Sequence, residues 1–199
     1  MSASQEIWLV RHGETEWSAS GAHTGRTDIP LNEVGRERAR QLRDVFRGRT
    51  FSLVLTSPLR RATETCSLAG FDDQAVIDPD LQEWDYGIFE GRKTPDIRKD
   101  CPGWTIWTAT VDKGESLSEV GARADRVIER VTATVGDGVL FAHGHIFRIL
   151  TARWLGLPPE AGRLFGMDTA TLNILGYERE QRVIRLWNFS ESFCGRSNR

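Results

Sequence analysis

Short apolar runs that alternate with helix-patterned segments constrain this chain more than any other feature. Ile7-Trp8-Leu9-Val10, Phe51–Thr56 and Val139–Ala142 read as buried strands, and Gln74–Ile77 as a further one. Between them, Asn32 stands as an N-cap ahead of Val34, Ala39, Leu42, Val45 and Phe46 at helical spacing. Ser57-Pro58 offers an N-cap with proline at the first helical position, opening a helix that runs to Gly70. Glu115 to Val135 carries the strongest helical pattern, and another helix ends near Gly156-Leu157-Pro158. Thr171–Tyr177 and Arg182–Trp187 close the chain as an edge hairpin. Strands alternating with helices predict an α/β fold, a three-layer α/β/α sandwich around a mostly parallel sheet. With 199 residues the chain suits one domain, 1–199, in which the irregular Gly-, Pro- and Trp-rich segment 78–113 forms a lid or insertion over the strand ends.

Two of the four histidines follow these strand runs directly, in Arg11-His12-Gly13 and His143-Gly144. The carboxyl ends of parallel strands border the ligand crevice of an open α/β sheet. A glycine after each histidine lets the backbone approach a ligand closely. Together these steps point to a site for an anionic group.

The anion has to be held locally, because a formal net charge of −2 exerts no global pull on nucleic acid or on an anionic membrane. No stretch has the length of a membrane-spanning helix, and Met1 to Glu6 lacks the apolar core of a signal peptide. Cys66, Cys101 and Cys194 are odd in number and show no CxxC spacing, which fits a reducing, cytoplasmic setting. Core filling is the ordinary role for most of the seven tryptophans.

The residue types fit phosphoryl transfer. Arginine pairs with phosphate oxygens in a bidentate manner and keeps its charge. A neutral imidazole beside it can attack phosphorus and divide one displacement into two. A lone histidine after a strand is more often a satisfied loop residue, but Arg11 next to His12 and the matching His143 step reverse that preference. Arg60 and Arg61 add cationic charge at a strand-to-helix junction, where free N–H groups already favour anions; one of the pair faces the crevice and the other is solvated. Glu83, in Glu83-Trp84-Asp85-Tyr86-Gly87, is either a desolvated acid able to protonate a leaving alkoxide or an exposed turn residue. His145 either joins the site or begins the next helix, and His23 lies in a polar loop within reach of substrate. A metal held by His12, His143 and His145 is disfavoured by the adjacent arginines and by the lack of HxxxH-type spacing with carboxylates.

Leu9-Val10-Arg11-His12-Gly13-Glu14-Thr15 resembles the signature of the histidine phosphatase superfamily, the phosphoglycerate mutase-like proteins. Gly25 to Leu31 resembles that family's TG-x-x-D-x-x-L segment, and Thr56 to Ala62 with Thr65 its TSxLxRAxxT element. Glu83 to Gly91 is similar to its E-x-x-x-G-x-x-x-G turn, and Phe141-Ala142-His143-Gly144 to its second-histidine motif. The resemblance implies that His12 is the phosphorylated nucleophile, that Arg11, Arg61 and His143 complete the phosphate pocket, and that Glu83 is the proton donor. It implies no metal and no cofactor. Ser18 stands where many members carry asparagine. His23 stands where glycolytic mutases have an aromatic residue, and their extra insertion and tail are missing.

Trp104-Thr105-Ile106-Trp107 and Ala142-His143-Gly144-His145 instead resemble a subgroup of short phosphatases that includes fungal sedoheptulose-1,7-bisphosphatase and mycobacterial acid phosphatases. The expected substrate is therefore a small phosphorylated metabolite, a sugar phosphate or bisphosphate. Ser18, His23, Thr24, Gly25, Tyr86, Trp104 and Gly144 are candidate substrate contacts, and Arg92, Lys93 and Arg98 candidates for a second phosphate. A cofactor-dependent phosphoglycerate mutase and a catalytically silent phospho-ligand module are the competing readings. A homodimer stays open.

Overall fold

In the computed structural model, which describes residues 5–190, six strands form one sheet in the order β3-β2-β4-β1-β5-β6. They are β1 (Ile7–Arg11), β2 (Leu53–Thr56), β3 (Val76–Ile77), β4 (Gly138–Ala142), β5 (Leu172–Glu178) and β6 (Gln181–Phe189). The first four run parallel, while β5 and β6 form an antiparallel hairpin beside β1. The helices are α1 (Glu16–Ser20), α2 (Glu33–Val45), α3 (Arg60–Leu68), α4 (Thr94–Asp100), α5 (Leu117–Ala133) and α6 (Gly144–Trp154), with short 3₁₀ turns at Pro79–Leu81, Gly87–Phe89 and Pro159–Leu164.

Alternation along β1 explains the layering, because successive side chains of a strand point to opposite faces. Ile7 and Leu9 join the core built with α5 and α6, while Trp8 and Val10 join the core built with Leu42 of α2 and Cys66 of α3. β4 divides its residues in the same way, with Leu140 and Ala142 on one face and Val139 and Phe141 on the other. Both faces of β1 and β4 are covered, so their sequences read as unbroken apolar runs, whereas the edge strand β3 is exposed. This is the α/β/α sandwich that the alternation predicts.

Several boundaries differ from the sequence reading. α3 does not open on Ser57-Pro58: its N-cap is Leu59, and the Ser57 hydroxyl accepts from the Leu59 N–H one turn earlier. β3 has two residues rather than four, because Val76 and Ile77 alone continue the ladder on β2. Thr15 and Ser18 form a reciprocal capping box that starts α1, a helix too short to show in periodicity. Segment 78–113 contains α4, started by proline near its N-terminus, so it is more ordered than its composition implies. Cys194 lies outside the described residues. Cys66 is buried, which pushes its thiol up to about 12 and leaves it inert.

Gly13 has a different use from the one its place after His12 implies. A Cβ there would sit 2.5 Å from the Gly35 carbonyl oxygen, and a Cβ on Gly35 would run into the backbone of Glu14. The two glycines let the end of β1 rest directly on the first turn of α2. Gly13→Ala is expected to destabilise the fold by about 1–3 kcal/mol through overpacking against rigid backbone. Denaturant unfolding checks this, and an unchanged midpoint would contradict it.

Candidate active site

Strand register assembles the site. Arg11 of β1 pairs with Ala142 of β4, and Thr56 of β2 with Phe141. Three strands therefore end at one level, and their next residues are His12, His143 and Ser57. The His12 N–H donates to the Ala142 carbonyl at 2.9 Å, and the Ser57 N–H to that of Phe141 at 2.9 Å. The two imidazoles end 5.2 Å apart between ring centroids.

Hydrogen bonds set the tautomer of each ring. His12 Nδ1 lies 2.7 Å from the Gly13 carbonyl oxygen, an obligatory acceptor, so Nδ1 carries the proton and Nε2 keeps its lone pair. Arg61 Nε donates to His143 Nδ1 at 3.1 Å, which puts the His143 proton on Nε2, where it is donated to the Ser57 hydroxyl at 2.7 Å. Burial, followed by the charges of Arg61 and Arg11, holds His12 well below the ordinary histidine value of 6.5. Burial and Arg61 do the same to His143. Both rings are neutral at pH 7.

The arginines play unequal parts. Arg61, wholly buried in α3, donates also to the carbonyls of Thr24, Gly25 and Thr27, so the 24–27 loop and His143 hold it rigidly. Glu90 supports that loop by accepting from the Gly25 and Thr27 N–H groups. Arg11 makes one hydrogen bond among the described residues, to the Met167 carbonyl, and its buried Nε is without a partner. Its remaining donors are free for an anion. Burial draws both guanidiniums below the usual arginine value, and the Glu83 carboxylate counteracts it. The space at Gly144 also serves the chain itself, since a Cβ there would meet the Arg11 guanidinium at 3.3 Å. Arg60 meanwhile presents its backbone N–H to Asp28 and lies at the surface.

Glu83 is buried, at 4% exposure, not an exposed turn residue. Its Oε1 accepts from the N–H groups of Trp84 and Ile146 at 3.0 and 2.9 Å, and its Oε2 from that of His145 at 3.0 Å. The carboxylate thus sits on the N-terminus of α6, where orphan N–H groups and the helix dipole favour negative charge. Oε1 is fully used, while Oε2 keeps one position for a proton.

The candidate substrate contacts divide. Tyr86 is buried, and its hydroxyl lies 2.7 Å from His145 Nδ1. His23 stacks edge-on against Tyr86 and Trp104, and its Nε2 lies 3.1 Å from the Thr94 hydroxyl. Ser18 is committed to the capping box, its hydroxyl accepting from the Thr15 N–H and donating to the Thr15 carbonyl. Thr24 and Gly25 serve through their carbonyls on Arg61, and a Cβ on Gly25 would collide with the Trp84 carbonyl. Trp104 packs into the core beneath His23 rather than over a crevice. Arg92 pairs with Asp100 on the surface, and Arg98 donates to the Trp104 carbonyl. Lys93 bridges to Ala22 through its backbone. Sequence reasoning left two participants unassigned, Ser57 and His145. His145 is the second residue of α6, yet its ring packs between Trp107 and Tyr86 beside His23. Its position two residues after His143, next to an aromatic-rich turn, is the signal that marks it.

Acid lability follows from these rings. Burial holds His12, His143 and His145 well below 6.5 in the fold, whereas the unfolded chain protonates them near that value. Below about pH 6.5 the unfolded state binds more protons, so stability must fall with pH from there toward the folded values. Melting temperatures recorded from about pH 8 to about pH 5 should decline in that window; a flat profile would contradict the assignment.

An anion entering this corner meets permanent positive charge, a free imidazole lone pair and a buried carboxylate, which suits an enzyme of phosphoryl transfer. Comparison with known proteins places the chain more closely. Residues 7–190 match the sequence profile of the Histidine phosphatase superfamily (branch 1), and the chain belongs to that family. It is 37% identical over 185 residues to an acid phosphatase of Mycobacterium tuberculosis, with 91% of each chain covered. It is 36% identical over 182 residues to the sedoheptulose 1,7-bisphosphatase of Saccharomyces cerevisiae, covering 75% of this chain and 67% of that one. A solved structure of a Mycobacterium tuberculosis open reading frame superposes with a TM-score of 0.87 at 35% identity, covering 94% of this chain and 98% of that one. The chain is a phosphatase with the phosphoglycerate mutase-like fold. Among the described residues, no group of His, Cys, Asp or Glu side chains is arranged to hold a metal ion, and no helix is long and apolar enough to cross a membrane.

Proposed function

We propose that the chain hydrolyses phosphomonoesters of small sugar phosphates or bisphosphates through a covalent phosphohistidine on His12. The observation that carries this reading is the Nδ1 bond to the Gly13 carbonyl, which leaves Nε2 unprotonated on a ring that feels the charges of Arg61 and Arg11. In the first step Nε2 attacks phosphorus, the ester P–O bond breaks, and a proton on Glu83 Oε2 passes to the leaving alkoxide. In the second, water attacks the phosphohistidine, the Glu83 carboxylate takes its proton, and phosphate departs with His12 restored. Arg11 and the free N–H of Arg61 stabilise the charge on the transferring group. His143 joins them by turning its Nε2–H from the Ser57 hydroxyl to a phosphoryl oxygen. The sugar class rests on the bisphosphatase among the relatives.

A panel of sugar phosphates and bisphosphates, assayed for phosphate release without added metal, tests the reading. Steady release from a sugar bisphosphate, with no exchange between 2- and 3-phosphoglycerate, is the expected result. Interconversion of the phosphoglycerates without net release would favour a mutase.

A further inference from the structure

Glu83 is held from two sides, and the second lies outside the pocket. Its carboxylate rests on the start of α6, but its backbone belongs to segment 78–85, which α5 grips. Arg123, Arg126 and Arg130 stand at i, i+3 and i+7 on one face of α5. The outer two form exposed pairs with Asp80, with N–O distances of 2.5 and 2.6 Å, where solvent weakens them.

Arg123 is different. It is buried, and each of its five N–H groups has a partner. Nε and Nη2 form a forked pair with Glu115 at 2.7 and 2.8 Å. Nη1 donates to the carbonyls of Asp80 and Gln82 at 2.6 and 2.8 Å, and Nη2 reaches that of Glu83 at 3.4 Å. Glu115 extends the hold, its Oε2 accepting from the Asp85 N–H at 3.0 Å and its carbonyl from Trp84 Nε1 at 2.8 Å. This largely buried ion pair thus anchors the chain on both sides of Glu83, and none of its hydrogen bonds goes to Arg11, His12, Arg61 or His143.

We infer that the Arg123–Glu115 pair is the positioning device for the proton donor, setting where Glu83 Oε2 meets the leaving oxygen. The role rests on the reading of Glu83 as that donor. A bidentate pair suits the task, since its planar fork admits one geometry. A displacement of about 1 Å at a reacting group can cost on the order of 100-fold in rate.

The experiment compares kcat/KM for p-nitrophenyl phosphate, whose leaving group needs little protonation, with that for β-glycerophosphate, whose leaving alkoxide needs a proton. The proteins are the wild type, Arg123→Lys, Glu115→Gln, Glu83→Gln and the double variant Arg123→Lys/Glu83→Gln, each verified as folded by circular dichroism at the assay temperature. Arg123→Lys and Glu115→Gln keep much of the packing volume, so either one serves if the other is unstable. Each is expected to lose about 30- to 100-fold on β-glycerophosphate and less than about threefold on the aryl ester. The double variant should be no worse than Glu83→Gln on β-glycerophosphate, because the two residues act as one unit. Equal losses on both esters, or additive losses in the double variant, would make Arg123 a general structural residue and overturn the inference. A Glu83→Gln enzyme without leaving-group dependence would overturn the donor reading itself, and the positioning role with it.

Discussion

His12→Ala should leave no measurable turnover on any phosphomonoester while the protein still folds. Removal of a covalent nucleophile removes the intermediate, and the paired carboxylate and arginines have nothing to transfer the phosphoryl group to. Loss of activity by a factor on the order of 10⁴ or more is expected from systems in which a nucleophile is deleted. The fold should survive because, among the described residues, the His12 side chain makes one hydrogen bond, to its own neighbour's carbonyl, and belongs to neither apolar core. Quenching the wild type in alkaline detergent during turnover of a radiolabelled substrate should trap label that is stable to base and lost in acid, and that is missing from the variant. Substantial activity in folded His12→Ala, or label that persists in it, would refute the mechanism.

Glu83→Gln carries the second large effect, and its signature is selectivity. General acid catalysis contributes about 10²–10⁴-fold where the leaving group is a poor one. Glutamine keeps an acceptor for the N–H groups of α6 but has no proton to give. Hydrolysis of alkyl phosphates should therefore fall by about that factor, while hydrolysis of aryl phosphates falls far less. The substitution also places an amide NH₂ where Oε1 or Oε2 accepts from backbone donors, so a modest loss of stability accompanies it. Denaturation measured in parallel separates the two effects. Equal rate losses for aryl and alkyl esters would deny Glu83 the acid role.

Much of the fold was legible because short, doubly buried strands and amphipathic helices leave different periodicities. β1 and β4 are visible as unbroken apolar runs, α2 through its N-cap Asn32 and its apolar stripe, and α5 through its apolar stripe alone, its Ser116 cap being a finding of the structure. β3 was overestimated, since what makes a strand is a ladder partner, and β2 reaches only Val76 and Ile77. α1 was invisible because five residues cannot display a helical period. At the site, His12, His143 and the arginines are adjacent in sequence to strand ends and so announce themselves. Arg123 does not. On a helix its spacing looks like an ordinary polar residue, and only the return of segment 78–85 across α5 gives it partners. The glycines after the histidines have a use that their place in the sequence does not show: they make room for Gly35 and for Arg11.

The bonds of Arg61 have a consequence for how this chain chooses its substrates. A guanidinium already tied to three loop carbonyls and to His143 cannot follow its ligand about. The phosphoryl end of every ester must come to the same place and in the same orientation, whatever molecule brings it. Discrimination then falls to the other end, for which the ring cluster of His23, Tyr86 and His145 is the proposed wall. A pocket divided this way can change its diet by altering a few rings while its reaction stays as it was.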